Sequence, residues 1–245
     1  MSGGRILLEV CVDSPEGLLA AVAGGADRIE LCSALAASGL TPTPGLMQLA
    51  ATVPIPVYAM IRPRAGDFRY SPAEVEAMLA DIDATREAGL AGVVFGASDA
   101  AGALDEALLA RLCAHAAGLG VTLHRAIDVV PDFEAALEVA VGLGFERILT
   151  SGGALTAQDG AERIAVLVAQ AAGRIGVLAG CGVSARNAGE IVRRTGVTEI
   201  HGSCSRAVGG AGLLPRELAL GFVDPAERVT DKAAVAALVA ALSAL

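Results

Sequence analysis

The chain has no tryptophan, two tyrosines, five phenylalanines and a single lysine, Lys232, among 245 residues. With aromatics at 3% and hydrophobic residues at 54%, its core has to come from Ala, Val, Leu and Ile, the usual filling of parallel sheets covered by helices. A lone lysine in the C-terminal helical pattern leaves no strand end able to supply a Schiff-base amine, so class I aldolase and pyridoxal chemistry are excluded. No GxGxxG follows the first strand pattern, and neither GxSxG nor HExxH occurs. A nucleotide cofactor and the familiar hydrolase and zincin devices are therefore not expected. The formal charge of −9 offers no basic face for nucleic acid. No run of about eighteen apolar residues free of charge or Gly/Pro exists, so no membrane partner is expected. MSGGRILLEV passes straight into a strand-like run without the charged and apolar regions of a signal peptide. Cys11, Cys32, Cys113, Cys181 and Cys204 are odd in number and lack small-scaffold spacing, which points to reduced thiols in a cytoplasmic protein.

What the chain does contain is a repeated alternation of short apolar runs and amphipathic helical patterns. Strands are expected near 6–11, 28–31, 56–61, 92–95, 121–124, 147–150, 175–179 and 198–201. SPEGLLAAVAGG places Ser14 as a cap, Pro15 in the first turn and Gly24 at the stop. Ser71, Pro72 and Gly89 repeat that grammar, with Glu74 completing a capping box. Alternating strands and helices require right-handed crossovers and a parallel sheet. Eight units in this length favour an α/β fold of the TIM (β/α)8 type, one domain over 1–245, rather than an open doubly wound sheet. Segment 205–230 is expected as a loop at the barrel top and 231–244 as the closing helix, while the lower halves of the strands read as plain apolar.

In this fold, active sites sit where strands end. Those positions carry Glu9 and Cys11, Glu30 and Cys32, Arg62 with Arg64, His124-Arg125 with Asp128, Gly180-Cys181-Gly182, and His201-Gly202-Ser203. A ring of polar strand ends is costly to bury unless the groups satisfy one another or a ligand. Glu9-Val10-Cys11 and Glu30-Leu31-Cys32 repeat one signature, so on adjacent strands two carboxylates and two thiols would meet. Proton chemistry, a soft metal and plain barrel filling are all open for that cluster. His124 and His201 suit general acid/base work or metal ligation. Asp128 could orient His124, take a proton itself or cap a helix. Arg62 and Arg125 offer rigid forks for a carboxylate or phosphate, or for the charges of Glu9 and Glu30. Arg28 begins its strand and belongs at the barrel bottom, whereas His115 falls on a helical surface. Gly180, Gly182, Gly202 and Ser203 lie in the loops after the seventh and eighth strands, the usual phosphate site of this fold, with a helix expected to start near Ser184.

LLEVCVDSPEG, GGADRIELCSALAASGLTPTPGL, PVYAMIRPRAGDFRYS, LHRAIDVV, GFERILTSGG and EIHGSCSR occur in this order from about residue 6 to 206, and the chain resembles the CutC family. The resemblance implies a TIM barrel, a cytoplasmic homo-oligomer (dimer or tetramer), and a role in copper homeostasis through copper(I) binding. It maps site-like positions onto Glu9, Glu30, Arg62, His124, Arg125, Asp128 and His201, with Cys11 and Cys32 as thiolate ligands for the metal. Copper(I) is soft and selects thiolates, and neighbouring strands would place two thiols about 5 Å apart. The partners so implied are a copper ion or, on the enzyme alternative, a small anionic metabolite. Departures from the family pattern are Cys181 between two glycines, where the family often has an all-glycine form, and aliphatic Leu123 and Ile127 in place of aromatics.

Overall fold

Short runs of aliphatic residues, each followed by a capped helix, account for the architecture. In the computed structural model, which describes residues 5–208, 215–224 and 226–245, eight parallel strands close on themselves. They are β1 (Leu7–Val12), β2 (Arg28–Leu31), β3 (Val57–Met60), β4 (Gly92–Phe95), β5 (Gly120–Leu123), β6 (Arg147–Thr150), β7 (Gly176–Ala179) and β8 (Glu199–Gly202), paired in sequence order with β8 against β1. This is the TIM barrel expected from the alternation. The covering helices are α1 (Pro15–Gly24), α2 (Pro44–Ala50), α3 (Pro72–Glu87), α4 (Glu106–His115), α5 (Phe133–Gly142), α6 (Ala161–Ala171) and α7 (Ala188–Thr195). None of the described helices is long and apolar enough to cross a membrane.

The caps follow the sequence closely. Ser14 accepts from the Gly17 amide and Pro15 opens α1, which ends at Gly24 as expected and is capped by Gly25 with φ +94°. Ser71 and Glu74 form the full capping box of α3. Segment 205–230 is more than a loop. It holds α8 (Pro215–Ala219) and an antiparallel pair, β9 (Ser205–Ala207) with β10 (Arg228–Thr230), beyond which α9 (Lys232–Ser243) closes the ring. Three-residue strands are too short to leave a periodic signal; the Arg228 side chain, bonded to the Ser205 carbonyl and hydroxyl, helps hold this pair. Residues 209–214 and 225 of that excursion lie outside the described ones.

The lower barrel interior corrects the expectation of plain apolar strands. Arg28 donates to Glu9 and to Glu199, each at 2.5 Å. Arg147 donates to Thr122 Oγ1, pairs with Glu146 at 3.0 Å and lies 4.8 Å from the Tyr58 ring centroid. The Tyr58 hydroxyl donates to Glu146 at 2.9 Å. Its ring crosses two strands that leave it room only because they carry glycine: a Cβ on Gly92 would stand 2.3 Å from the ring and one on Gly120 2.4 Å from the hydroxyl. Arg28, Arg147 and Glu199 each occupy the first position of a strand. Arg28 thus lies at the barrel bottom as expected, and closure of the barrel brings these charges together inside it.

Removing one partner from a buried ion network leaves the others uncompensated, at about 3–5 kcal/mol. Arg28→Ala is therefore expected to lower the urea unfolding free energy by that amount. A loss below about 1 kcal/mol, the scale of an exposed pair, would show the floor network to be unimportant for stability.

Candidate functional site at the barrel mouth

Register decides which strand ends meet. Glu9 lies level with Arg28 on one side and His201 on the other, while Cys11 lies level with Glu30. The paired signatures are thus staggered by two residues, a consequence of the shear that closing a barrel demands. Glu9 meets Arg28 instead of Glu30, and Cys11 meets a carboxylate instead of Cys32.

Glu9 is fully enclosed between the Arg28 guanidinium and His201 Nδ1, the latter at 2.8 Å. Burial alone would raise its pKa, but the hydrogen bond from His201 and the charge of Arg28 prevail and hold it at about 2. An ionised carboxylate only accepts, so His201 Nδ1 carries the proton and Nε2 is turned toward the mouth, 3.9 Å from Glu30. Burial would depress His201; its electrostatic interactions with the buried groups around it and its hydrogen bond to Glu9 push it well above the ordinary imidazole value. Glu30 receives the Cys32 thiol on Oε2 at 3.6 Å, and its Oε1 has no partner. Burial, with Glu9 adding to it, outweighs the pull of His201 and raises Glu30 to about 7. Cys11, Glu30 and His201 present ligand atoms within 4.8 Å of one another. Cys32 stands outside that group, packed with Tyr58, Met60 and Val94, and burial pushes its thiol well above the usual value.

His124 Nδ1 accepts from the Ala126 amide at 3.1 Å, which places the ring proton on Nε2. That Nε2 is buried with no partner among the described residues, and the Phe68 ring centroid lies 4.7 Å from that of His124. Burial, reinforced by the charge of Arg62, lowers His124 to about 3, so the ring is neutral. Arg62 does not reach Glu9 or Glu30. Its Nη1 donates to the carbonyls of Ala37 and Gly39 and its Nη2 to Gly66, tying two mouth loops together, while Nε has no partner. Arg64 turns outward to Glu74 and Asp67.

Asp128 neither orients His124 nor caps a helix. Its carboxylate accepts from Thr150 Oγ1, the Ser151 amide and hydroxyl, the Gly153 amide and Arg125 Nε, which locks the segment after β5 onto the end of β6. The cap of α5 is Asp132 instead. Arg125 extends from that anchor, with Nη2 on Ser151 Oγ at 2.8 Å and Nη1 on Cys181 Sγ at 2.7 Å. The loop after β7 also differs from expectation. α7 begins at Ala188 and not near Ser184, because Asn187 Oδ1 accepts from the Ser184 amide and hydroxyl and folds the intervening residues into a turn. Gly180 packs so closely that a Cβ would fall 2.6 Å from Leu149, and Gly182 has φ +68°. Gly202 ends β8, and the Ser203 hydroxyl pairs with Ser205 at 3.1 Å.

A cavity of about 500 Å³ opens at this end of the barrel, lined by Cys11, Glu30, Arg62, Phe68, His124, Arg125, Asp128, Cys181, His201 and Ser203 among others. The sequence reading brought most of these together and missed Phe68, which a single aromatic in a Gly/Asp-rich loop gives no pattern to find. It also missed the Arg125–Cys181 contact, which joins loops 56 residues apart.

A family model described as the CutC family matches residues 6–206. A CutC family protein of Caulobacter vibrioides is 61% identical over 245 residues, 100% of each chain. One from Sinorhizobium medicae is 58% identical over 241 residues, 98% of each. The crystal structure of the putative copper homeostasis protein CutC from Streptococcus agalactiae matches with a TM-score of 0.78 at 33% identity, covering 81% of this chain and 98% of that one. Thiamine phosphate pyrophosphorylase from Pyrococcus furiosus, 17% identical with a TM-score of 0.63 over 98% of this chain and 96% of that one, shares the fold alone.

Glu30 makes stability fall with rising pH. Its folded value of about 7 lies above the ordinary 4.5, so its contribution is present below pH 4.5 and lost as pH rises through 7. Glu30→Gln is expected to flatten that decline, seen as a smaller drop in urea midpoint between pH 5 and pH 8 than the parent shows. Parallel curves for the two proteins would contradict the assigned protonation.

Proposed function

The chain belongs to the CutC family, and we propose that the mouth of its barrel binds a small acidic or phosphorylated metabolite and moves a proton on it. The observation that carries this reading is the convergence of three buried polar atoms without a partner among the described residues, Glu30 Oε1, Arg62 Nε and His124 Nε2, on residues lining one cavity. Each such atom costs about 1–3 kcal/mol when left unsatisfied. Two are N–H donors suited to a carboxylate, phosphoryl or carbonyl oxygen. The third belongs to a carboxyl group held at about 7, where it can both take and return a proton near neutral pH. His201, fixed through Nδ1 by Glu9, stands beside Glu30 to balance its charge. Arg125 adds a cation at the rim, and Gly182 and Ser203 lie where barrels of this kind take phosphate.

A second reading, copper homeostasis through copper(I) binding, rests on the same floor. Cys11, Glu30 and His201 form a compact donor group, and Glu9 orients the imidazole from behind as a carboxylate does for a ligating histidine. Here the ion is cargo. Cys11 and His201 would hold it, and Cys32 would add its sulfur only on leaving Glu30. This donor set is harder than the two-thiolate pair copper(I) prefers, so the metabolite reading ranks first. Residence in the cytoplasm and assembly into a dimer or tetramer belong to the same proposal. The five free thiols support the first, and the exposed Leu218, Leu220 and Phe222 give apolar surface for the second.

Inorganic phosphate or malonate at millimolar concentration should raise the melting midpoint above that in chloride of equal ionic strength, and Arg125→Gln should shrink the rise by half or more. Equal midpoints in all three anions would remove the metabolite reading. For copper, anaerobic titration against a chromogenic copper(I) chelator should give one equivalent per chain, lost in Cys11→Ser; unaltered stoichiometry in that variant would sink the second reading.

A further inference from the structure

Five thiols occur in this chain, and four are accounted for by packing or by the floor cluster. Cys11 and Cys32 belong to the barrel interior. Cys204 is buried against the core, and Cys113 sits on the outer helix α4; burial pushes each of their thiols up to about 11. Cys181 is set apart by its place in the mouth. It lines the mouth cavity, sits between two glycines with φ +78°, and its sulfur accepts a hydrogen bond from Arg125 Nη1. A side chain at such a φ is strained, so its sulfur is held at this spot against a backbone preference for glycine.

Arg125 is itself fixed. Nε is on Asp128, Nη2 on Ser151 and Nη1 on Cys181, and among the described residues these are its only bonds. A guanidinium has five N–H donors, so one remains on each of Nη1 and Nη2 beside the sulfur. Independently, His124 Nε2–H and Glu30 Oε1, both buried and unpartnered, belong to the lining of the same cavity and call for a ligand there.

We propose that Cys181 is a nucleophile of the barrel mouth that adds reversibly to the carbonyl carbon of an acidic aldehyde or 2-oxo acid, Arg125 holding the ligand's anionic group. This rests on the metabolite reading and narrows its substrate class. In the step a bond forms between Cys181 Sγ and the carbonyl carbon. The π pair of the C=O bond moves onto oxygen, and the thiol proton passes to that oxygen. Nothing is oxidised and no group leaves. The neutral His124, with its proton on Nε2, is the lining donor suited to hydrogen-bond that oxygen while it takes the proton given up by the sulfur.

The test uses the intact protein with iodoacetate, iodoacetamide and ¹³C-labelled glyoxylate, read by peptide mass spectrometry and carbon NMR. Cys181 is expected to be alkylated about tenfold faster than Cys113. Its ratio of iodoacetate to iodoacetamide labelling should exceed that of Cys113, and Arg125→Gln should abolish the excess. Glyoxylate should protect Cys181 and give a new sp³ carbon resonance that is absent in Cys181→Gly, a variant whose backbone suits the same φ. Labelling of Cys181 no faster than Cys113, or a glyoxylate adduct that persists in Cys181→Gly, overturns the proposal. If the phosphate-dependent rise in melting midpoint survives in a protein that fails these tests, the metabolite site stands and only its covalent step falls; if that rise is missing too, both fall.

Discussion

The ion pair between Arg28 and Glu9 is the constraint on which the rest of this barrel depends. It joins β1 to β2 at a level where neither side chain can reach bulk water, and Arg28 also reaches across to Glu199 on β8. A buried pair of this kind is weak evidence of stability in itself, because desolvating both charges costs as much as their attraction returns. What it does determine is state. With Arg28 in place Glu9 is an anion, and with Glu9 an anion the His201 ring has one orientation and one protonated nitrogen facing inward.

Charge then follows height in the barrel. At the floor, guanidinium groups and carboxylates are ionised and matched. One layer up, Glu30 lacks a cation of its own, and its proton is held only loosely at neutral pH. At the level of His124, burial leaves the imidazole neutral. Three titratable groups within a few layers occupy three different regimes, and each regime follows from the neighbours beneath it. Such separation of protonation states by environment is how a single pocket can hold an acid and a donor together at one pH.

Much of this was legible in the residues alone. The strand pattern, Ser14 and the Ser71–Glu74 box read directly because caps and periodicity are local physics. The residues of the mouth were legible as a set, since strand ends in a closed barrel converge wherever the loops go. Their partners were not. The stagger that sets Glu9 against Arg28 arises from shear, a property of the whole ring that no segment encodes by itself. Asp128 is a hub of hydrogen bonds that the sequence did not show, because all its donors but Arg125 come from residues 150–153, beyond any local window. Arg62 keeps only Nε for a ligand, because its outer nitrogens go to carbonyls of loops near residues 37 and 66, which no local window shows. Arg28 was placed correctly at the barrel bottom, but its partners there, Glu9 and Glu199, come from other strands and were not foreseen.

Tyr58, lying over Gly92 and Gly120, has a kinetic meaning beyond packing. Together with Arg28 and Arg147 it seals the lower end of the barrel, so the well above has one opening. Whatever enters must leave by the door it came in, and two molecules sharing the well would queue. The first to arrive would be the last to depart. Solvent exchange at the deepest groups would also halt while the well is filled, so a proton taken up there would stay with the bound molecule instead of washing out.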